Sequence, residues 1–288
     1  MSELQKIIKY AAMAFAIFLA VIIITGIVSG LLALTGVIGA VTDGNSKIEM
    51  SNGETADFDK EFEGVKNLYI ENGVGELSIV EGTDMNIRVT AVDVASDFEA
   101  KIVSGNELKI STKSDFWNIF NWGIKSHKKP RITVYLPEGY EGRNVKIDAG
   151  AGNIKIEELN CEELDIDAGV GNIKGYNIFA RDLQVNGGVG EINLTDVTAE
   201  GTDIDAGVGN IDIEGTLSGK NIVNAGVGEI DLSLTGSTDD YNIKVNPGIG
   251  SIYIDGNKYG ELSWNNATAD NSLDIDGGVG NISIEFKK

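Results

Sequence analysis

The 288-residue chain, 30.6 kDa, holds one Cys and one His, which excludes a disulfide framework or thiolate metal site within one chain and any multi-histidine zinc centre. Its 44 acidic against 23 basic residues give a net charge of −21 at pH 7, so nucleic acid is not an expected partner: binding it needs Lys and Arg to replace the counterions on phosphates. The length allows one or two domains with a sizeable core.

Residues 1–9 read as a short cytoplasmic N-terminus and residues 10–41 as a transmembrane helix. The 32 residues from Tyr10 to Val41 carry no charge, and at about 1.5 Å rise per residue two thirds of that run crosses a hydrocarbon layer of roughly 30 Å. The run is too long for a signal-peptide apolar region, although Gly36, Gly39 and Ala40 leave cleavage open. Lys6 and Lys9 before the span and Asp43 after it place the N-terminus inside and the residues after about 42 outside. Gly26 and Gly30 form a Gly-x-x-x-Gly pair through which two anchors could meet as a homodimer. Residues 1–42 carry a net +1, which leaves −22 for the exterior.

Residues 42–64, polar and acidic, read as a juxtamembrane stalk. Residues 65–140 are irregular and β-rich, with strand-like apolar runs at Leu68–Ile70, Ile87–Val92, Leu108–Ile110 and Ile132–Leu136. They are either decayed repeats of the region that follows or a separate cap. Within them Asp115–Arg131 stands apart: Phe116, Trp117, Phe120 and Trp122 are followed by Lys125, His127, Lys128, Lys129 and Arg131. Aromatic residues beside a basic cluster suit contact with anionic lipid, an anionic wall polymer or a partner protein. The segment reads first as a long hairpin whose aromatics cap an open end or side of the solenoid. Of the binding surfaces the sequence offers, this is the foremost candidate.

Residues 141–288 repeat. IDAGAGNIKI at 147–156 recurs as IDAGVGNIKG, VNGGVGEINL, IDAGVGNIDI and VNAGVGEIDL, with Ala151, Val170, Val189, Val208 and Val227 each 19 apart. VNPGIGSIYI (245–254) and IDGGVGNISI (275–284) follow after steps of 22 and 30, and IENGVGELSI (70–79) precedes Ala151 by 77 from its Val74. Ile166, Ala168 and Val170 alternate with Asp167 and Gly169 as a strand with one dry face does. Ile173 then follows Val170 by three, so Gly171–Asn172 should turn a corner that keeps both aliphatic groups inward. A 19-residue step cannot bury enough to fold alone, so steps must stack, with backbones about 4.8 Å apart and like side chains in columns. The expected fold is an all-β, parallel β-solenoid of about 19 residues per rung, right-handed by the rule for parallel crossovers, preceded by one transmembrane α-helix.

The stretch ITVYLPEG (Ile132–Gly139), followed by hydrophobic–Asp–x–Gly–x–Gly–Asn–Ile–x–Ile units, resembles the bacterial "putative adhesin" β-strand-repeat family, a membrane-anchored domain of unknown function of the DUF4097 kind. The resemblance spans roughly residues 65–288. It implies a β-solenoid at the cell surface of a bacterium, often Gram-positive, behind a single membrane helix, with some members tied to envelope-stress regulation. It supplies no catalytic residue.

Asp148, Asp167, Asn186, Asp205, Asn224, Asn246 and Asp276 share one repeat position and should form a file along the outside. A calcium-binding nonapeptide would need Asp where Ile192 stands, and the Asn substitutions read as relief of like-charge repulsion, so no metal is expected. Glu157/Glu158 and Glu162/Glu163 lie in turns and do not make a catalytic carboxylate pair. Asp255–Asn271, with Tyr259 and Trp264, is the one insertion able to wall a groove, and Cys161 reads as a turn or core-edge residue. No cofactor and no enzymatic activity are expected. The expected function is a non-enzymatic binding or scaffolding module at the envelope, contacting membrane proteins in stress sensing, or an adhesin-like binder of wall polymer or glycan, with a polysaccharide-cleaving β-helix enzyme as the remote alternative.

Overall fold

A computed structural model describes residues 55–95, 98–103, 106–112 and 129–287. The transmembrane reading of 10–41, the Gly26/Gly30 pair and most of the stalk and the aromatic segment lie outside these residues. At the centre are β8 (Gly142–Ala151), β9 (Ile154–Val170), β10 (Ile173–Val189), β11 (Ile192–Val208) and β12 (Ile211–Val227). They run parallel, and Ile173 pairs with Ile154 on one side and Ile192 on the other, a register of 19 residues. Each rung has three straight runs. In β10 the inward positions are Ile173 and Gly175, then Ile178 and Ala180, then Leu183 and Val185. The first bend falls at Glu158, Asn177 and Asp196 on successive rungs, with φ of 59°, 52° and 54°, a left-handed conformation that Asn and Asp tolerate.

Stacking turns these positions into columns. Leu77, Ile154, Ile173, Ile192, Ile211, Ile230, Ile282 and Ile252 form one, and none is more than 2% exposed. A second runs through Ile110, Ile70, Ile147, Ile166, Val185, Ile204, Val223, Ile275 and Val245, all 0% exposed. At about 1.5–3 kcal/mol per buried side chain, such columns hold rungs that could not fold singly. One column is interrupted: Thr202 and Asn221 pair side by side where neighbouring rungs carry Leu164, Leu183 and Leu273, and both are buried. The register of β12 slips by one residue just before Asn221, whose amide donates to the Ser272 carbonyl at 3.1 Å.

The order of rungs in space departs from the order in sequence at both ends. β2 (Asn67–Val74) lies between β8 and β6 (Glu107–Thr112), and β3 (Glu76–Glu81) between β9 and β7 (Arg131–Leu136). The copy at 70–79 is therefore the immediate neighbour of 147–156, although 77 residues separate Val74 from Ala151. At the other end the chain runs from β13 (Ile230–Thr235) through a short 3-10 turn (Thr238–Asp240) to β14 (Tyr241–Asn246) and β15 (Ile252–Ile254), one level too far. It returns to fill the gap, with β18 (Asn271–Val279) between β12 and β14 and β19 (Ile282–Lys287) between β13 and β15.

Antiparallel strands cover both ends, where unpaired parallel edges would otherwise invite aggregation. β4 (Ile87–Ala95) pairs antiparallel with β7 and with β1 (Thr55–Phe62), and β5 (Phe98–Ile102) with β6. β16 (Asn257–Tyr259) covers β15 and β17 (Leu262–Trp264) covers β14, with Tyr259 and Trp264 edge to face at 5.3 Å. The stretch 65–140 thus supplies both further rungs and a cap. Residues 55–62 correct the stalk reading: they form a strand of the folded body, because Phe62 is buried, Phe58 meets Phe98 edge to face at 5.2 Å and Asp59 takes a forked bond from Arg88.

Candidate functional site

The Gly-x-Gly corner of each rung is the most repeated feature of the surface. Its second glycines stack in one file; Gly152, Gly171, Gly190, Gly209 and Gly228 have φ near 145° and donate their N–H to the valine carbonyl of the next rung, as Gly152 to Val170 at 2.9 Å and Gly171 to Val189 at 2.9 Å. A Cβ on Gly190 would stand 1.9 Å from the Gly171 oxygen, so the close approach of backbones dictates glycine here. The following Asn holds the corner from outside: the side-chain oxygens of Asn153, Asn172 and Asn210 accept the backbone N–H of Asn172, Glu191 and Glu229 at 3.0–3.1 Å.

The residue between the two glycines does not turn inward as its alternation suggested. Val170 is 55% exposed, Val189 36% and Ile249 46%, with Val208, Val227 and Val279 half-buried. The glycine corner is wide enough that only Ile173 and its equivalents re-enter the core, and the valine is left on the outer bend. The register still stacks these residues, through Ala151, Val170, Val189, Val208, Val227, Val279 and Ile249. The result is an exposed aliphatic ridge roughly 29 Å long at about 4.8 Å per rung. Water-facing aliphatic rows of this extent mark surfaces that meet another molecule.

Beside the ridge runs the expected file of acids and amides, in the spatial order Glu71, Asp148, Asp167, Asn186, Asp205, Asn224, Asp276, Asn246. Its charges are managed from within. Asn186, Asn224 and Asn246 donate to Asp167, Asp205 and Asp276 at 2.7, 2.8 and 3.1 Å. Where two carboxylates abut, another donor sits between them. Tyr69 Oη lies 2.8 and 2.9 Å from Glu71 and Asp148, which share its one proton, and Lys146 Nζ reaches Asp165, Asp167 and Asp148 at 2.7, 3.4 and 3.5 Å. Bonding to Asp165 raises the Lys146 ammonium well above its ordinary range, and desolvation together with the two carboxylates raises the Tyr69 phenol. Burial opposes ionisation of Glu71, but the Tyr69 and Lys109 hydrogen bonds outweigh it and hold the carboxyl below its usual range. Between file and ridge lies a shallow trough of about 720 Å³ across four rungs, floored by Ala149, Ala168, Gly187 and Ala206.

Of the residues put forward from sequence, Phe116, Trp117, Phe120, Trp122, Lys125 and Lys128 lie outside the described residues. Lys129 is exposed just before β7, and Arg131 opens that strand, exposed and paired in the ladder with Glu76 and Val92. Neither belongs to the corner ridge. Cys161 is buried in a column with Ala180 and Ala199, and burial pushes its thiol up to about 12. Sequence reading passed over Tyr176 and Phe179, the two most exposed aromatic side chains among the described residues, at 50% and 47%. The signal was present: both occupy repeat positions where neighbouring rungs carry Glu157, Thr195, Asn160 and Thr198.

Among solved structures, the chain is similar to a "putative cell adhesion protein" from Clostridium sporogenes, at 19% identity and TM-score 0.38, over 81% of this chain and 100% of that one. A "putative adhesin" from Bacteroides fragilis matches at 14% identity and TM-score 0.41, over 81% and 97%. A "putative lipid binding protein" from Parabacteroides distasonis matches at 14% identity and TM-score 0.29, over 81% and 98%. No curated protein matches. The family profile described as Toastrack DUF4097 matches residues 65–288, which takes in every rung of the stack, and the chain belongs to that family.

Proposed function

We infer that this chain is a non-enzymatic binding or scaffolding module of the bacterial envelope, anchored by one transmembrane helix over residues 10–41 and displaying a right-handed solenoid outside the membrane. Its task in this reading is to hold another membrane protein in envelope-stress sensing or regulation. The observation that carries the reading is the aliphatic ridge of Val170, Val189, Val208, Val227, Val279 and Ile249: an in-register apolar row, exposed at Val170, Val189 and Ile249 and half-buried at the other three. Such a row costs solubility without adding to the core, and a partner surface accounts for it. The net −22 of the exterior disfavours an anionic bilayer or nucleic acid as that partner.

The test is co-purification from native membranes of the full chain, with and without Val170→Asp and Val189→Asp. Both positions are exposed, so an unchanged melting temperature is expected, and with it loss of a membrane-protein partner from the double variant supports the reading. An identical set of captured proteins for both chains counts against it. Protease added to intact cells should remove the region 55–287, and full protection of that region would overturn its external placement.

An adhesin-like binder of wall polymer or glycan is the second reading, favoured by the exposed Tyr176 and Phe179.

A further inference from the structure

On the rung β10, at the first bend after the glycine corner, Tyr176 and Phe179 project into solvent on either side of Asn177, whose φ of 52° makes the bend. They are held on a rigid support. Ile178 and Ala180, which alternate with them, are buried to 1% and 0% exposure, and the strand is paired on both sides, by β9 and β11. Gly175 makes room for this arrangement: a Cβ there would stand 2.5 Å from Ile178 Cδ1, so the β10 rung gives up the side chain that Ile156 and Leu194 supply in its neighbours. In register beside Tyr176 are Glu157 and Thr195, and beside Phe179 are Asn160 and Thr198.

We propose that Tyr176 and Phe179, with Asn160, Thr195 and Thr198 beside them, form a binding platform for an uncharged glycan. Three features select that ligand. Aromatic faces are electron-rich and attract the polarised C–H groups on the flat side of a pyranose ring, while the ring edge stays wet. The neighbours are short amide and hydroxyl groups, which serve as donors and acceptors for sugar hydroxyls. The local field disfavours polyanions: Lys155 and Arg181 are already paired with Glu157 and Asp182 at 2.6 and 3.1 Å, and Glu162 and Glu163 add their charge beside Arg181. Two half-exposed rings offer far less than the roughly 800 Å² per partner that a stable protein interface buries, whereas one or two sugar rings need only the ring faces.

The inference deepens the adhesin-like reading above and rests on it. The test uses the full chain in a detergent without a sugar headgroup, titrated calorimetrically with cellohexaose, chitohexaose and, as anionic counterpart, polygalacturonate. The informative variant is Tyr176→Thr with Phe179→Thr, which installs the residues that the next rung carries at the same positions and so preserves the stack. The platform predicts saturable binding of at least one neutral hexasaccharide, none of polygalacturonate, and affinity reduced roughly tenfold or more in the double variant at unchanged melting temperature. Undiminished binding by the double variant would overturn the placement while leaving the adhesin-like reading intact. Binding of neither neutral sugar would overturn both, and polygalacturonate bound as tightly would overturn the charge selection. Self-association abolished by the double variant, without sugar binding, would assign the patch to a protein contact instead.

Discussion

A Cβ placed on Gly171 would stand 1.8 Å from the carbonyl oxygen of Gly152, one rung away. The two backbones are as close as glycine permits, and the φ of 142° at Gly171 adds a conformation that side chains rarely adopt. Gly171→Ala should therefore cost about 3 kcal/mol or more, by strain and by parting the rungs. Gly139→Ala, also at positive φ but with nothing within 4 Å, should cost only about 1–2 kcal/mol. Urea unfolding of both variants checks the difference, and equal losses would show that the corner tolerates a wider rung spacing.

Thr202 marks a point where the stack gives up stability. Its hydroxyl is buried among aliphatic columns and makes no hydrogen bond. Thr202→Val keeps the shape and removes the desolvated oxygen, so it should stabilise the chain by about 1 kcal/mol, read as a higher denaturation midpoint at unchanged slope.

Asp231 carries a pH dependence. Desolvation, then the charges of Glu229, Asp212 and Glu285, raise its carboxyl above the ordinary value. A carboxyl raised on folding favours the folded chain while protonated, and that contribution is lost as pH rises through the raised value. Asp231→Asn should then stabilise the chain at neutral pH by roughly 0.5 kcal/mol, after screening at this exposed position. The gain should vanish below about pH 4, where wild type is protonated as well. Stability measured across that range checks the sign.

Cys161 provides a sensitive readout of rung integrity. With its thiol pushed up to about 12 by burial, thiolate is scarce and the sulfur inaccessible. Iodoacetamide at about pH 8 should leave the folded chain unmodified and label it fully in guanidinium. Rapid native labelling would mean that the column through Cys161, Ala180 and Ala199 opens readily.

Much of this fold was legible because the repeat is chemical as well as numerical. The 19-residue step that brings Val170 to Val189 also brings Ile154 to Ile173, and buried columns follow wherever branched residues recur at that step. Val170 itself was misread as inward: period-two alternation runs through Ile166 and Ala168 to the corner, but it cannot show how wide a glycine bend will open. The order of the end rungs was hidden for a different reason. Strand pairing is set by which levels are left vacant, and the steps of 22 and 30 to Ile249 and Val279 give no hint that the later segment lies inside the earlier one. β1 was concealed by its acids, although Phe58 and Phe62 sit on its buried face. Tyr176 and Phe179 could have been found by asking which outward repeat positions break from polar residues.

Crosslinking tests the stacking order of the corner ridge most directly. In a Cys161→Ala background, Val227→Cys with Val279→Cys places two sulfurs on adjacent rungs, about 4.8 Å apart between backbones and within disulfide reach. Val227→Cys with Ile249→Cys places them two rungs apart, with Val279 between. Mild oxidation of the full chain should join the first pair and leave the second reduced. A disulfide in the 227/249 variant, with the 227/279 variant left reduced, would mean that rungs follow sequence order and that the ridge does not exist.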